Sequence, residues 1–243
     1  MESKQFILEF PLTPDCSFDS FVAWGENRRV VEAIRHLKTG SEHGLILTGE
    51  AGCGKTHLLK GAVNHFNTPE PSPSQQAVYL DLPLLKTQLN PKDEQAFSTL
   101  LGRYGNLALV AVDHLEQLEG EPALQEALLF LFNRVRASQG KLLCASRLAP
   151  QAISWLREDL SSRLLWGELL TLSSPNDAEL KEILNKMARD RQVNLSQALI
   201  HFLHLRLPRS MSAYAQAMDQ LDRAGMQLKQ RMTVPFAKKV LNL

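Results

Sequence analysis

The chain predicts an α/β fold: a parallel five-stranded sheet wrapped by helices, followed by a small all-helical region. Three observations carry that expectation. Gly49-Glu50-Ala51-Gly52-Cys53-Gly54-Lys55-Thr56 matches the phosphate-loop pattern of Gly, four residues, then Gly-Lys-Ser/Thr. It stands between an apolar run, Leu45-Ile46-Leu47, and a helical one, His57-Leu58-Leu59-Lys60, which is the strand-then-helix context the pattern requires. Leu107 to Asp113 is a continuous apolar run closed by an acid, as a strand buried on both faces reads. From Ala178 onward the texture is helical, with no strand candidate.

The elements follow in order. Asn27 to Lys38 carries a helical stripe, Val30, Val31, Ile34 and Leu37, with Ser17 or Asp19 as candidate caps. The loop strand begins after Gly40, and the helix behind the loop runs to about Phe66. Pro69-Glu70-Pro71-Ser72-Pro73-Ser74 reads as an exposed connector. Ala77 to Leu80 reads as a strand, Gln95 to Leu101 as a helix, Ala123 to Ala137 as an amphipathic helix, and Lys141 to Ala145 as a buried strand. Leu160 to Arg163 reads as a helix end and Leu169 to Leu172 as the fifth strand. Beyond Pro175, three stripes are expected: Leu180, Ile183, Leu184 and Met187; Ile200, Phe202, Leu203 and Leu205; Met211, Tyr214, Ala215, Met218 and Leu221.

The totals are those of an ordinary globular protein. Hydrophobic residues make up 44% and charged residues 22% of 243 positions, ample for a core. A net charge of +1 does not mark a nucleic-acid binder. Cys16, Cys53 and Cys144 are far apart, which argues against a disulfide framework or a zinc site. No stretch is apolar enough to span a membrane, and Met1-Glu2-Ser3-Lys4 lacks a signal-peptide layout. A cytoplasmic protein is expected.

The chemistry expected at the loop is phosphate binding. Glycines let backbone N–H groups turn toward an anion, and the following helix points its positive end at the same place. The binding set is Gly49, Glu50, Ala51, Gly52, Cys53, Gly54, Lys55, Thr56 and His57. Lys55 would reach the β/γ-phosphates, while Thr56 and Asp113 would hold Mg²⁺. The loop reads phosphates rather than a base, so a nucleoside di- or triphosphate is expected, ADP or ATP foremost, although no residue declares adenine. Cys53 reads as a small filler. His201 and His204 lack a third metal ligand, and Trp24, Trp155 and Trp166 read as packing.

Gln5-Phe6-Ile7-Leu8-Glu9-Phe10 is apolar, with Pro11 and Pro14 directly behind it. Such a peptide either packs back on its own domain or docks in another protein's groove. The spacing Gln5, Leu8, Phe10 resembles the short motif by which bacterial replication proteins bind the sliding clamp.

The whole layout resembles the AAA+ arrangement. Phe18-Asp19-Ser20-Phe21, Gly49 to His57 and Ser162-Arg163-Leu164-Leu165-Trp166-Gly167 look like segments of the bacterial initiator DnaA. Met218-Asp219-Gln220-Leu221-Asp222-Arg223-Ala224 and Thr233-Val234-Pro235-Phe236 look more like the Hda family of DnaA-related regulators. The resemblance implies an N-terminal extension over 1–16, an AAA+ domain over 17–173 and a helical lid over 174–243. It implies that Arg163 is an arginine finger acting in trans on ATP held by DnaA, a device that contributes roughly 10³–10⁵ in rate. It further implies the clamp as a partner, a possible homo-oligomer and no dedicated DNA-binding domain. Three departures from the AAA+ pattern point to weak intrinsic ATPase activity. His114 follows Asp113 where an acid is usual, with Glu116 past the strand end; Ser146 and Arg147 close the fourth strand; and Ser212 stands where the lid's sensor arginine falls, with Arg209 a candidate substitute. The rival readings are an ATPase that loads a helicase and a passive module stabilised by nucleotide.

Overall fold

The computed structural model describes residues 16–69, 72, 75–88, 99, 101–228 and 230–243, without the side chain of residue 212. Gln5, Leu8 and Phe10 lie outside these residues, as does most of the helix expected from Gln95 to Leu101. Among those described, the order is α1 (Asn27–His36), β1 (Gly44–Thr48), α2 (Lys55–Phe66), β2 (Ala77–Asp81), α3 (Leu82–Gln88) and β3 (Leu109–Asp113). Then come α4 (Pro122–Ala137), β4 (Lys141–Ala145), α5 (Glu158–Leu164) and β5 (Glu168–Thr171). The C-terminal region is α6 (Asp177–Asp190), α7 (Gln197–Arg206), α8 (Met211–Leu228) and α9 (Val234–Leu241).

The five strands form one parallel sheet in the order β2-β3-β4-β1-β5. β1 and β3 are buried at every position, which is why their sequences show no polar alternation. The register pairs Leu47 with Ala145 and Val112 with Cys144, so the C-terminal ends of β1, β4 and β3 open side by side. Ligands bind at this edge in open parallel sheets.

Each sheet face has its own core. Leu45, Leu47 and Ala111 join α1, α2 and the C-terminal helices, through Leu180, Ile183, Leu203 and Tyr214. Ile46, Val110 and Val112 join α3, α4 and α5, through Leu85, Leu128, Leu131 and Leu160. Leu58 and Leu59 on α2 are fully buried beneath the loop. Truncating either to Ala removes packing of the kind that costs about 2–5 kcal/mol.

Local chemistry explains the helix starts. Asn176 and Glu179 form a capping box at α6, Ser196 caps α7, and Thr233 caps α9 with Pro235 in its first turn. Neither Ser17 nor Asp19 caps α1, contrary to expectation. Ser17 and Ser20 bond to each other in a local turn, Gly25 turns the chain at positive φ, and Glu26 stands at the cap without a side-chain bond. Asn27 is instead a tie across the fold, donating to the Ser173 carbonyl and accepting from its N–H. Leu205 also departs from its expected stripe. The buried face of α7 is Leu199, Ile200, Leu203 and His204, which turns Leu205 outward, 64% exposed. No helix among the described residues is long and apolar enough to cross a membrane.

Candidate functional site

The loop closes β1 and opens α2 through glycines that side chains could not replace. Gly54, at the helix N-cap, has φ +104°, and a Cβ there would stand 2.7 Å from the Phe21 ring. Gly49 has φ +146°, and its Cβ would fall 2.5 Å from the Leu172 carbonyl. The backbone therefore takes a path that L side chains rarely adopt and that aims the N-terminus of α2 outward. Lys55 folds back over the loop, donating to the Gly49 carbonyl at 2.7 Å and the Glu50 carbonyl at 2.8 Å. Glu50 accepts from Ser174 Oγ, linking the loop to the segment that enters α6. Cys53 is buried against the loop; burial pushes its thiol up, against the opposing influence of Lys55, so it is a filler rather than a nucleophile.

Asp113 sits at the end of β3, 1% exposed, and gathers three donors. Thr56 Oγ1 donates to its Oδ2 at 2.6 Å, Tyr79 Oη to the same oxygen at 2.9 Å, and the His114 N–H to Oδ1 at 2.9 Å. This network is how a lone buried carboxylate is tolerated. Burial and the nearby Asp113 charge push the Tyr79 phenol far above its ordinary range, so Tyr79 remains a donor. Thr56 and Asp113 are the donors a Mg²⁺ ion would use. Among the described residues no group of three or more His, Cys, Asp or Glu could hold a metal alone. The donor set suits an ion that arrives with phosphate oxygens.

Gly54, Lys55, Thr56, Asp113 and His114 line one cavity of about 330 Å³, together with Gly52, His57, Glu116, Arg147, Met187 and Met211. A broader groove of about 1180 Å³ lies among α7, α8 and α9, but it has no glycine cradle or buried carboxylate. His57 packs against Phe21 and bonds the Ser17 carbonyl at 2.9 Å. Burial holds its imidazole below the ordinary value.

The turn after Asp113 carries the feature least visible in sequence. His114 adopts the left-handed conformation, φ +64°, and starts a short 3₁₀ turn over Leu115–Leu118. That reversal returns Glu116 to the cavity, where Oε1 lies 3.5 Å from His114 Nδ1 and 3.3 Å from Arg147 Nε. Its Oε2 is buried without a hydrogen-bond partner. Burial would raise the Glu116 carboxyl, but His114 and Arg147 prevail and hold it below the ordinary value. The Glu116 bond, against burial, raises the His114 imidazole. Glu116 and Tyr79 are the residues sequence reasoning undervalued. Glu116 follows a strand end, and Tyr79 reads simply as a strand aromatic.

Of the expected residues, Gly49, Glu50, Cys53, Arg209 and Arg163 are not among those that line the cavity. Arg209 pairs with Asp177 at 3.1 Å, and the α8 residues lining the cavity are Met211 and Ala215. Arg163 projects from α5, its guanidinium carbon 4.2 Å from the centre of the Trp166 ring. His204 is a core histidine, buried and bonded to Tyr214 Oη at 3.0 Å.

A phosphate loop on a parallel sheet, an acid at the end of the third strand and a C-terminal helical region define a P-loop protein of the AAA+ class. Residues 12–171 match the family of the bacterial DnaA ATPase domain, and residues 177–241 match the Hda lid domain. The chain belongs to this Hda/DnaA-related AAA+ family. It is 33% identical to an uncharacterized protein of Haemophilus influenzae, covering 99% of this chain and all of that one. Domain III of Thermotoga maritima DnaA superposes with a TM-score of 0.81 at 23% identity, covering 96% of this chain and 98% of that one. DnaA of Aquifex aeolicus, solved with AMPPCP, gives 0.70 at 19% identity, covering 89% and 68%. The Holliday junction branch migration motor RuvB of Thermotoga maritima gives 0.62 at 20% identity, covering 95% and 72%.

Proposed function

We propose that the chain is a nucleotide-binding regulatory adaptor that stimulates ATP hydrolysis by the initiator DnaA and so restrains re-initiation of replication. In this reading residues 17–173 hold the nucleotide, 174–243 close over it as a lid, and 1–16 carry the clamp motif. The nucleotide is ADP or ATP with Mg²⁺; the Aquifex relative's AMPPCP supports an adenine nucleotide. Gly49 to His57 cradle the phosphates, Thr56 and Asp113 hold the ion, and Arg209 approaches when its bond to Asp177 opens. Gln5, Leu8 and Phe10 dock on the sliding clamp in the cytoplasm.

One observation carries the proposal. Arg163 stands away from its own chain's cavity and, among the described residues, pairs with no carboxylate. A cation so placed is available to a neighbour's phosphates and not to those of its own cavity. The test is single-turnover hydrolysis of DnaA-bound ATP with DNA-loaded clamp present. Arg163→Ala is expected to remove stimulation, by roughly 10³-fold or more for a finger of this kind, while nucleotide affinity stays unchanged. Full stimulation by the variant would end the proposal. Glu116 in the cavity favours a second reading, a self-sufficient ATPase. Turnover of the chain's own nucleotide near 10 s⁻¹, typical of enzymes, would select it.

A further inference from the structure

The corner that bears Arg163 is built around one aromatic ring. Trp166 follows α5, is 44% exposed, and touches Phe132 edge-on at 6.0 Å between ring centres. Two guanidinium groups share it. Arg163 comes from α5, at 4.2 Å from the ring centre, and Arg136 from the last turn of α4, at 3.9 Å. Among the described residues neither arginine is paired with an acid, which they share with Arg28, Arg103, Arg134, Arg189, Arg206 and Arg223; what sets them apart is that both rest on one ring. The two cations come from successive helices, α4 and α5, and meet on this ring.

An unpaired arginine on a surface normally samples many rotamers. A ring face within cation–π distance removes much of that freedom while leaving the guanidinium's N–H donors available. A carboxylate partner would also fix the side chain, but it would occupy those donors and cancel the charge. The arrangement therefore keeps Arg163 both oriented and unneutralised, as transition-state stabilisation by a preorganised cation requires.

We propose that Trp166 is the positioning residue for Arg163: it holds the finger ready for the phosphates of ATP bound to a partner subunit. The inference rests on the trans-acting reading above and adds to it a residue that touches no substrate. Arg136 shares the ring.

The test compares Trp166→Phe, Trp166→Leu and Arg163→Ala in full-length protein, with DNA-loaded clamp and ATP-loaded DnaA. Maximal stimulated rate and half-saturating concentration are measured separately. Thermal melting and nucleotide affinity confirm that each variant is folded. Trp166→Phe keeps a π face and is expected to retain the maximal rate within about threefold. Trp166→Leu keeps apolar bulk without a π face and is expected to lower the maximal rate by roughly 10- to 100-fold, as small misplacements of catalytic groups do. Its half-saturating concentration should move less than about twofold. If Phe and Leu behave alike, Trp166 is packing only and the inference fails. A change confined to half-saturation makes Trp166 a docking contact and also overturns it. Full stimulation by Arg163→Ala would instead remove the function on which the inference rests, so the two failures are distinguishable.

Discussion

The cavity at the end of the sheet and the corner at α5 hold their cations differently. In the cavity Lys55 lies on two loop carbonyls and Arg147 on Glu116, and Lys60 alone rests on a ring, that of Tyr79. At the corner Arg136 and Arg163 rest on a ring and keep their charge unneutralised. Paired groups give a site that holds its shape around a ligand. Unpaired groups on a rigid support give a surface that waits for an anion from elsewhere. Under the proposed function, retention and catalytic help would be separable within this chain, and substitutions can test that separation.

Lys55→Ala tests it most severely. In the proposed reading the ammonium is the cavity's phosphate-facing cation, and hydrogen bonds to charged groups contribute about 1.5–3 kcal/mol. Nucleotide affinity, read by calorimetry, is expected to fall roughly 10- to 100-fold. At saturating nucleotide, stimulation of the partner should return to near the wild-type level because the α5 corner is untouched. If stimulation stays absent when the site is full, the two regions are not independent and the contrast collapses.

Tyr79→Phe sharpens the cavity side of the contrast. It removes one of three donors from a buried carboxylate, leaving Thr56 and the His114 N–H on Asp113. A loss of about 1 kcal/mol is expected in denaturant unfolding, with little change in the slope. Nucleotide affinity should change less than for Lys55→Ala, because Thr56 keeps its bond to Asp113. A neutral result would show that solvent replaces the phenol at Asp113.

The ease of reading these parts from sequence follows the range of the interactions behind them. The loop from Gly49 to Thr56 was legible because its geometry is local: glycine positions, a preceding strand and a following helix lie within one short segment. The parallel strands were legible because burial on both faces leaves uninterrupted apolar runs, although β3 begins at Leu109 rather than Leu107. Leu107 instead closes a turn by donating its N–H to the Tyr104 carbonyl. Glu116 is hard to read from sequence because a residue past a strand end normally leaves the site, and one left-handed residue, His114, reverses that. The tie from Asn27 to Ser173 and the meeting of Arg136 with Trp166 depend on tertiary approach, for which no local pattern exists. Arg163 is marked in the sequence by resemblance alone, and its aromatic support is visible only in the fold.

The smallest expected effect separates two histidines that border the cavity. His57 is buried and held below its ordinary value of 6.5, chiefly by desolvation, with the Ser17 carbonyl opposing. Its neutral form is the folded one, so its stability contribution is fully present above 6.5 and is lost as pH falls through the lowered folded value. His114 is shifted upward, chiefly by its bond to Glu116 and against its own burial. Its contribution is fully present below 6.5 and is lost as pH rises through the raised folded value. Solvent screening keeps the second effect small, because the His114 side chain is 38% exposed. His65 is also held low by burial and adds to the acid side with the same sign as His57. Melting temperature measured across this range should therefore fall on both sides, more steeply toward acid. His57→Gln is expected to flatten the acid limb and leave the alkaline limb in place; His114→Gln should do the reverse. If His57→Gln leaves the acid limb unchanged, His57 is already protonated when folded, and its bond to Ser17 outweighs burial rather than yielding to it.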